Sequence, residues 1–315
     1  MTRRNLFEER TAPWDALGKE IKTARTSADM IIEAGLDWEV TAEKIYSNNR
    51  LIDGHLANTR STDGHVLGIV SPRYKVVQNK EAFDFADGLL GQGCEFERAG
   101  SLKDGRRIWA LAKVPDDITV LGEKVAPYLL ITNSHDGTSG IKVALTPIRI
   151  ACANQIAMIF KTAHRTMTIR HTASIYHKMD EAQQILGLYK EYGHKLNEVA
   201  EVLSRKMMPK ASFVKFLDKL IPMPERKLDA QGALMQKTLL RNTEEKREEL
   251  TYRWRNAPDL ANYRDTAYGA LQAVADFTTH TQPKRLSKTF VEGKMNEAIE
   301  TSALLNKAYK LLQAA

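Results

Sequence analysis

Cysteine is almost missing from this chain: Cys94 and Cys152 are the only two in 315 residues. That is too few for a disulfide scaffold or a cysteine metal centre, and both fit a reducing compartment. No stretch approaches the roughly eighteen uncharged apolar residues that a membrane span needs. Arg3, Arg4 and Arg10 near the amino terminus are not followed by the apolar core of a signal peptide. A cytoplasmic protein with no membrane partner is expected. Also missing are Gly-x-x-x-x-Gly-Lys-Ser/Thr and a Gly-x-Gly-x-x-Gly between strand and helix, the two common cradles for nucleotide phosphates. ATP-driven chemistry is therefore not expected, and neither is a cofactor. Aromatic residues make up only 7% of the chain, yet 43% is hydrophobic, enough for one large core or two modest ones.

A local absence is more informative. The formal charge of +7 and pI of about 9.2 are only mildly basic. Residues 1–136 carry 18 Lys+Arg against 21 Asp+Glu, and residues 180–315 carry 22 against 18. Between them, from Gly137 to Met179, no carboxylate occurs in 43 residues. The same stretch holds Lys142, Arg149, Lys161, Arg165, Arg170 and Lys178, with His164, His171 and His177 besides. A segment so purged of acid points to a surface that faces a polyanion.

Periodicity and turn signals give the organisation. Residues 1–54 read as a mainly helical arm, with Trp14, Leu17 and Ile21 at three-four spacing and Ser27 capping a short helix that Gly35 stops. Residues 55–172 read as an antiparallel sheet core with packed helices. His55 to Ser61 and His65 to Ser71 flank Asp63-Gly64, and Asn79 caps a helix through Leu90. Turns at Lys103-Asp104-Gly105, Leu121-Gly122-Glu123 and Ser134 to Gly140 then separate strands Arg107–Val114, Asp117–Leu121, Val125–Asn133 and Ile141–Ile148. Connections this short make an antiparallel β-meander and disfavour a doubly wound parallel sheet. The apolar run Ile148 to Phe160 reads as a buried helix, and Thr166 to Thr172 as one more strand. Residues 173–315 read as helical, with a long helix from Ser174 to about Lys206 interrupted by Gly193 and further helices at 234–252, 261–277 and 290–312. Glu244 to Glu249 is a mixed-sign solvated face. The class is α+β, a meander with packed helices followed by a long-helix carboxyl-terminal region.

Enzymatic signals are sparse. His164, His171 and His177 are spaced by seven and six and do not share one helical turn, so they read as surface histidines rather than metal ligands. Asp84 with Asp87, and Asp116 with Asp117, suit Mg²⁺ only as weakly as many solvated turns do, which leaves a metal-dependent nuclease as a minor alternative. Ser134-His135-Asp136 cannot be a triad, because three consecutive residues cannot align nucleophile, base and orienter; it reads as a hairpin tip. Ser71-Pro72-Arg73-Tyr74-Lys75 offers two cations around one ring, or a solvated turn with Tyr74 packed. Arg106 and Arg107 beside Trp109, and Lys142 near Tyr128, extend that mixture, with the aromatics serving as core or as stacking platform. Single-stranded nucleic acid is held by this combination, since cations track phosphates and rings accept unstacked bases.

The residues Ser71-Pro-Arg-Tyr-Lys-Val-Val-Gln-Asn-Lys-Glu-Ala-Phe83, followed about 65 residues later by Thr146-Pro-Ile-Arg-Ile-Ala-Cys-Ala-Asn-Gln155, resemble the phage and plasmid family catalogued as domain of unknown function 932. Tyr74, Gln78 and Asn79 match its first motif, and Arg149, Cys152 and Asn154 its second. The resemblance implies a mobile-element protein in a bacterial cytoplasm and names no activity. In arrangement the chain is also similar to the phage single-strand annealing proteins of the Red-beta and RecT type, which hold single-stranded DNA in oligomeric rings or filaments without ATP. The expected function is thus ATP-independent binding and annealing of single-stranded DNA by a homo-oligomer, with a phage or host recombination protein as a further partner. The expected contacts are Arg73, Tyr74, Lys75, Arg106, Arg107, Trp109, Lys142, Arg149, Lys161, Arg165 and Arg170, with no catalytic or metal residue. Arg149 is either a phosphate contact or a buried structural cation, because its neighbours are so apolar. The alternative is an interaction or regulatory module binding a host protein through the helical half.

Overall fold

A computed structural model describes residues 17–84, 86–90, 93–149, 166–171, 189–224, 230–282 and 302–314, with residues 7, 10, 14, 15, 290, 293 and 294 besides. The expected helix through Trp14, Leu17 and Ile21 does not form. Leu17 N–H meets the Trp14 carbonyl at 2.9 Å in a single turn. Gly18, at φ 62°, then lies so close to Ala99 that a Cβ would stand 2.3 Å from its carbonyl oxygen. Strand β1 (Lys19–Glu20) pairs there, opposite Arg98 and Ala99. Trp14 is only 1% exposed, packed with Trp109 and Leu130. Burying an indole outweighs the few tenths of a kcal/mol per residue that helix propensity offers, roughly.

Helix α1 (Ser27–Ala34) begins one residue earlier than expected, because extended Thr26 forms a capping box with Asp29. Gly35 ends it in the left-handed conformation. Strands β2 (Val40–Ser47) and β3 (Arg50–Arg60) replace the rest of the helical arm. Asn48 and Asn49, at φ 48° and 61°, supply the left-handed pair that a two-residue hairpin requires. Strand β4 (Val66–Val70) pairs with β3. Helices α2 (Asn79–Asp84) and α3 (Asp87–Leu90) follow.

The next strands are β5 (Glu95–Leu102), β6 (Arg107–Lys113), β7 (Ile118–Val120), β8 (Glu123–Ala126), β9 (Tyr128–Ser134), β10 (Ile141–Leu145), β11 (Ile148–Arg149) and β12 (Thr166–Ile169). All of their pairings are antiparallel. They do not make the single sheet that the turn spacing predicts. The described strands form a six-stranded sheet in the order β1-β5-β6-β9-β10-β12 and two three-stranded sheets, β2-β3-β4 and β7-β8-β11. Pro127 is the physical reason for one division: it has no N–H to donate, and it parts β8 from β9 where the sequence reads as a single strand. Ile148 and Arg149 are strand rather than the start of a buried helix; the rest of that run lies outside the described residues.

The carboxyl-terminal half is helical: α4 (Tyr189–Arg205), α5 (Lys210–Leu220), α6 (Ala230–Asn256), α7 (Ala267–His280) and α8 (Ala303–Ala314). The expected start at Ser174 lies outside the described residues. Gly193 is where α4 presses on β7, since a Cβ would sit 2.9 Å from Ile118 Cγ2. Helix α5 has no counterpart among the expected elements, although Phe213, Phe216, Leu217 and Leu220 bury one face behind Pro209. The architecture is α+β. One face of the main sheet joins the helices in a large core, and the other carries a small cluster of Trp14, Leu102, Trp109, Leu111, Leu130 and Ile148.

Candidate nucleic-acid interface

The loop Ser71–Gln78 closes over the end of the main sheet where β9 and β12 stop. Tyr74 stacks on His171 with ring centroids 4.7 Å apart and donates its hydroxyl to the Ser134 carbonyl at 2.7 Å. Burial, then the charge of Asp136, pushes the Tyr74 phenol well above its ordinary pKa. Lys75 pairs with His171 through main chain, and its carbonyl accepts from His171 Nδ1 at 3.1 Å. Gln78 clasps both backbone groups of Val40 at 2.9 Å. Asn79 donates to the carbonyls of Leu36 and Trp38 at 2.8 and 3.1 Å, so its Oδ1 accepts from His135 Nε2 at 2.8 Å. The three matched residues of the first motif therefore act as staples: Tyr74 ties the loop to the end of β9, Gln78 ties it to β2, and Asn79 ties the start of α2 to His135 and to the segment before β2.

Beneath the loop lies a buried polar cluster that sequence reasoning missed. His135 is 0% exposed rather than at a solvated tip, and Asn58 Nδ2 donates to its carbonyl at 2.7 Å. Burial drives the His135 imidazole down to about 3, with the nearby His171 lowering it further and Asp136 opposing. His171, 7% exposed, is not the expected surface histidine, and burial pushes its pKa down as well. A signal was present: His135 continues the inward alternation of Leu129, Ile131 and Asn133.

The cations gather on the other side. In an antiparallel sheet paired residues share a face, which alternates along each strand. Arg107 pairs with Ser134; the next rung with the same facing runs Trp109, Thr132, Lys142, Thr168. Arg170, two residues beyond Thr168, returns to that face. Arg107, Lys142 and Arg170 are thus brought to one face of one sheet end, with Arg107 and Lys142 partly buried and Arg170 exposed. Arg73, Lys75 and Arg106 are exposed at the same end, Arg106 through its carbonyl, which accepts from His135 N–H at 2.8 Å. Asp136 sits among them. Burial raises its carboxyl, but bonds from Ser134 and Thr138 and the charge of Arg107 outweigh that and leave it below the ordinary value.

Trp109 and Tyr128, read as core or as stacking platform, are both packed against Trp14. Trp109 is 0% exposed under Trp14, so it offers no stacking face in this structure. Tyr128 meets Trp14 edge-on at 5.3 Å and donates to Glu97. Of the remaining expected contacts, Arg149 pairs with Val125 through main chain. Lys161 and Arg165 lie outside the described residues. The carboxylate pairs are engaged locally: Asp87 accepts Ser27 N–H at 2.6 Å and Asp116 accepts the Tyr189 hydroxyl at 2.9 Å. Among the described residues no three His, Cys, Asp or Glu side chains converge as metal ligands, and no described helix is long and apolar enough to cross a membrane.

Comparison with known proteins agrees with the two motifs. No curated protein and no solved structure matches the chain. The model of one family, a domain of unknown function (DUF932), matches residues 66–303, which include the stapled loop, the sheet end and most of the helical half. The chain belongs to the family of domain of unknown function 932.

Proposed function

We propose that the chain binds single-stranded DNA without ATP and promotes annealing of complementary strands, as a homo-oligomer working in a bacterial cytoplasm for a phage or plasmid. The observation that supports this best is the register that gives Arg107, Lys142 and Arg170 one face of the sheet, inside or beside the stretch without carboxylates. Exposed Arg73, Lys75 and Arg106 widen the cationic rim. Phosphates would bind there through salt-sensitive contacts, and repetition around an oligomer would turn weak contacts per subunit into tight binding per strand. With Trp109 buried, the reading rests on cations rather than on stacking.

Fluorescence anisotropy with single-stranded and duplex oligonucleotides at two salt concentrations tests it. Affinity should favour the single strand and fall with salt, and annealing should proceed without ATP and in the presence of a chelator. Metal-dependent cleavage without annealing would move the assignment to a nuclease using Asp84, Asp87, Asp116 or Asp117. A second reading, an interaction module for a host or phage protein, is favoured by the exposed Val202, Met207 and Val214 of the helical half. No affinity for any oligonucleotide would make that reading the better one.

A further inference from the structure

The two buried histidines bracket the loop, His171 holding Lys75 within it and His135 holding Asn79 immediately after it, and their hydrogen bonds fix their protonation. Asn79 uses its amide nitrogen on two carbonyls, which leaves only its oxygen for His135. His135 must therefore carry its proton on Nε2, and Nδ1 is a bare acceptor. The Lys75 carbonyl likewise requires the proton of His171 on Nδ1, which leaves Nε2 bare. His135 Nδ1 and His171 Nε2 are both buried with no hydrogen-bond partner among the described residues. A second proton on either ring would thus create a charged donor with nothing described to accept it, in a site where an unpaired charge is costly.

The groups around the pair offer little relief. Asn79, Asn58 and Trp38 face His135 from α2, β3 and the segment before β2, and all are neutral. Tyr74 covers His171. Asp136 is the acidic neighbour of His135, and Ser134, Thr138 and Arg107 already engage it.

We infer that His135 and His171 form an acid-sensitive latch, which keeps the loop Ser71–Gln78 and its cations closed on the sheet only while both rings are neutral. The latch does not depend on nucleic-acid binding. An open loop hydrates the rings and restores an ordinary histidine affinity for protons. For one ring that resists protonation when closed, the open population should rise about thirtyfold between roughly pH 7.5 and pH 5.

Amide hydrogen exchange on the full chain, corrected for the intrinsic pH dependence, reads this directly. With both rings resisting, amides of Tyr74 and Lys75 should lose protection about thirtyfold for each ring, close to a thousandfold in all, across that interval, while those of β6 and α7 do not. His171→Asn keeps a donor where Nδ1 stands and cannot titrate; His135→Gln does the same for Nε2. Each should cut the loop's pH response to the roughly thirtyfold of the ring that remains. The latch is overturned if the wild-type loop is equally protected at both pH values, if β6 and α7 open together with it, or if both variants keep the wild-type response.

Discussion

The molecule buries polar groups in two opposite ways. In the helical half they are ionised: Arg253 and Asp276, each 1% exposed, meet at 2.8 Å, with Arg10 3.2 Å from Asp276 and Glu249 2.7 Å from Arg253. At the sheet end they are neutral: His135, Asn79, Asn58 and His171 share hydrogen bonds with one another and with main chain. An ionised cluster is held by charge, so removing one member strands another. A neutral one is held by hydrogen-bond complementarity, and a single proton can upset it. Even the ion pair is no simple gain, because burial lifts the Asp276 carboxyl against the pull of Arg253 and Arg10.

The largest effect should come from the ionised cluster. Arg253→Ala leaves Asp276 buried without its 2.8 Å partner, and should lower unfolding stability by about 3–5 kcal/mol in urea or thermal melts. Asn79→Ala should cost less, about 1–3 kcal/mol, by orphaning the carbonyls of Leu36 and Trp38 and the His135 ring. Reversal of that order would mean that the sheet end, not the charged cluster, is the stronger tie. Gly68→Ala probes the packing around the neutral cluster: its Cβ would meet Asp136 Cα at 2.4 Å, main chain that cannot swing away, so a cost of about 1–3 kcal/mol is expected.

How far the sequence foretells each region follows from the range of the interactions that shape it. Apart from the break between β8 and β9 at Pro127, strands β6 to β10 are bounded by Asp-Gly, Leu-Gly and the Ser134–Gly140 turn, local signals that need no distant partner. Helix α1 is legible for the same reason, through Gly35 at its end and, one residue off, the Ser27 cap whose place Thr26 takes. The helix expected at Trp14, Leu17 and Ile21 fails because Trp14 is buried against residues about a hundred positions away. The β2–β3 hairpin is hidden in Asn48-Asn49, a pair that accepts left-handed backbone as glycine does. Arg107, Lys142 and Arg170 are all legible as cations. Their common face is not, because it depends on which residue stands opposite which. The buried histidines are least legible, since their partners come from residues 36–79.

The smallest effect on stability, and the one that bears on function, belongs to the outward cations. Replacing Arg107, Lys142 or Arg170 singly by Ala should cost less than either buried cluster does, within about 0.5 kcal/mol at exposed Arg170 and about 1 kcal/mol at half-buried Arg107 and Lys142, where Arg107 also gives up its attraction to Asp136. If the face holds phosphates, each change should weaken binding to every single-stranded sequence alike. The slope of log affinity against log salt should become shallower by about 0.7 for each phosphate no longer held. Arg149→Ala sharpens the contrast: as a phosphate ligand it behaves like these three, and as a structural cation it lowers the melting temperature and leaves the slope alone. Should all four variants stay folded with the wild-type slope, the carboxylate-free stretch is not the surface that meets DNA, and the exposed apolar residues of the helical half become the place to look for a partner.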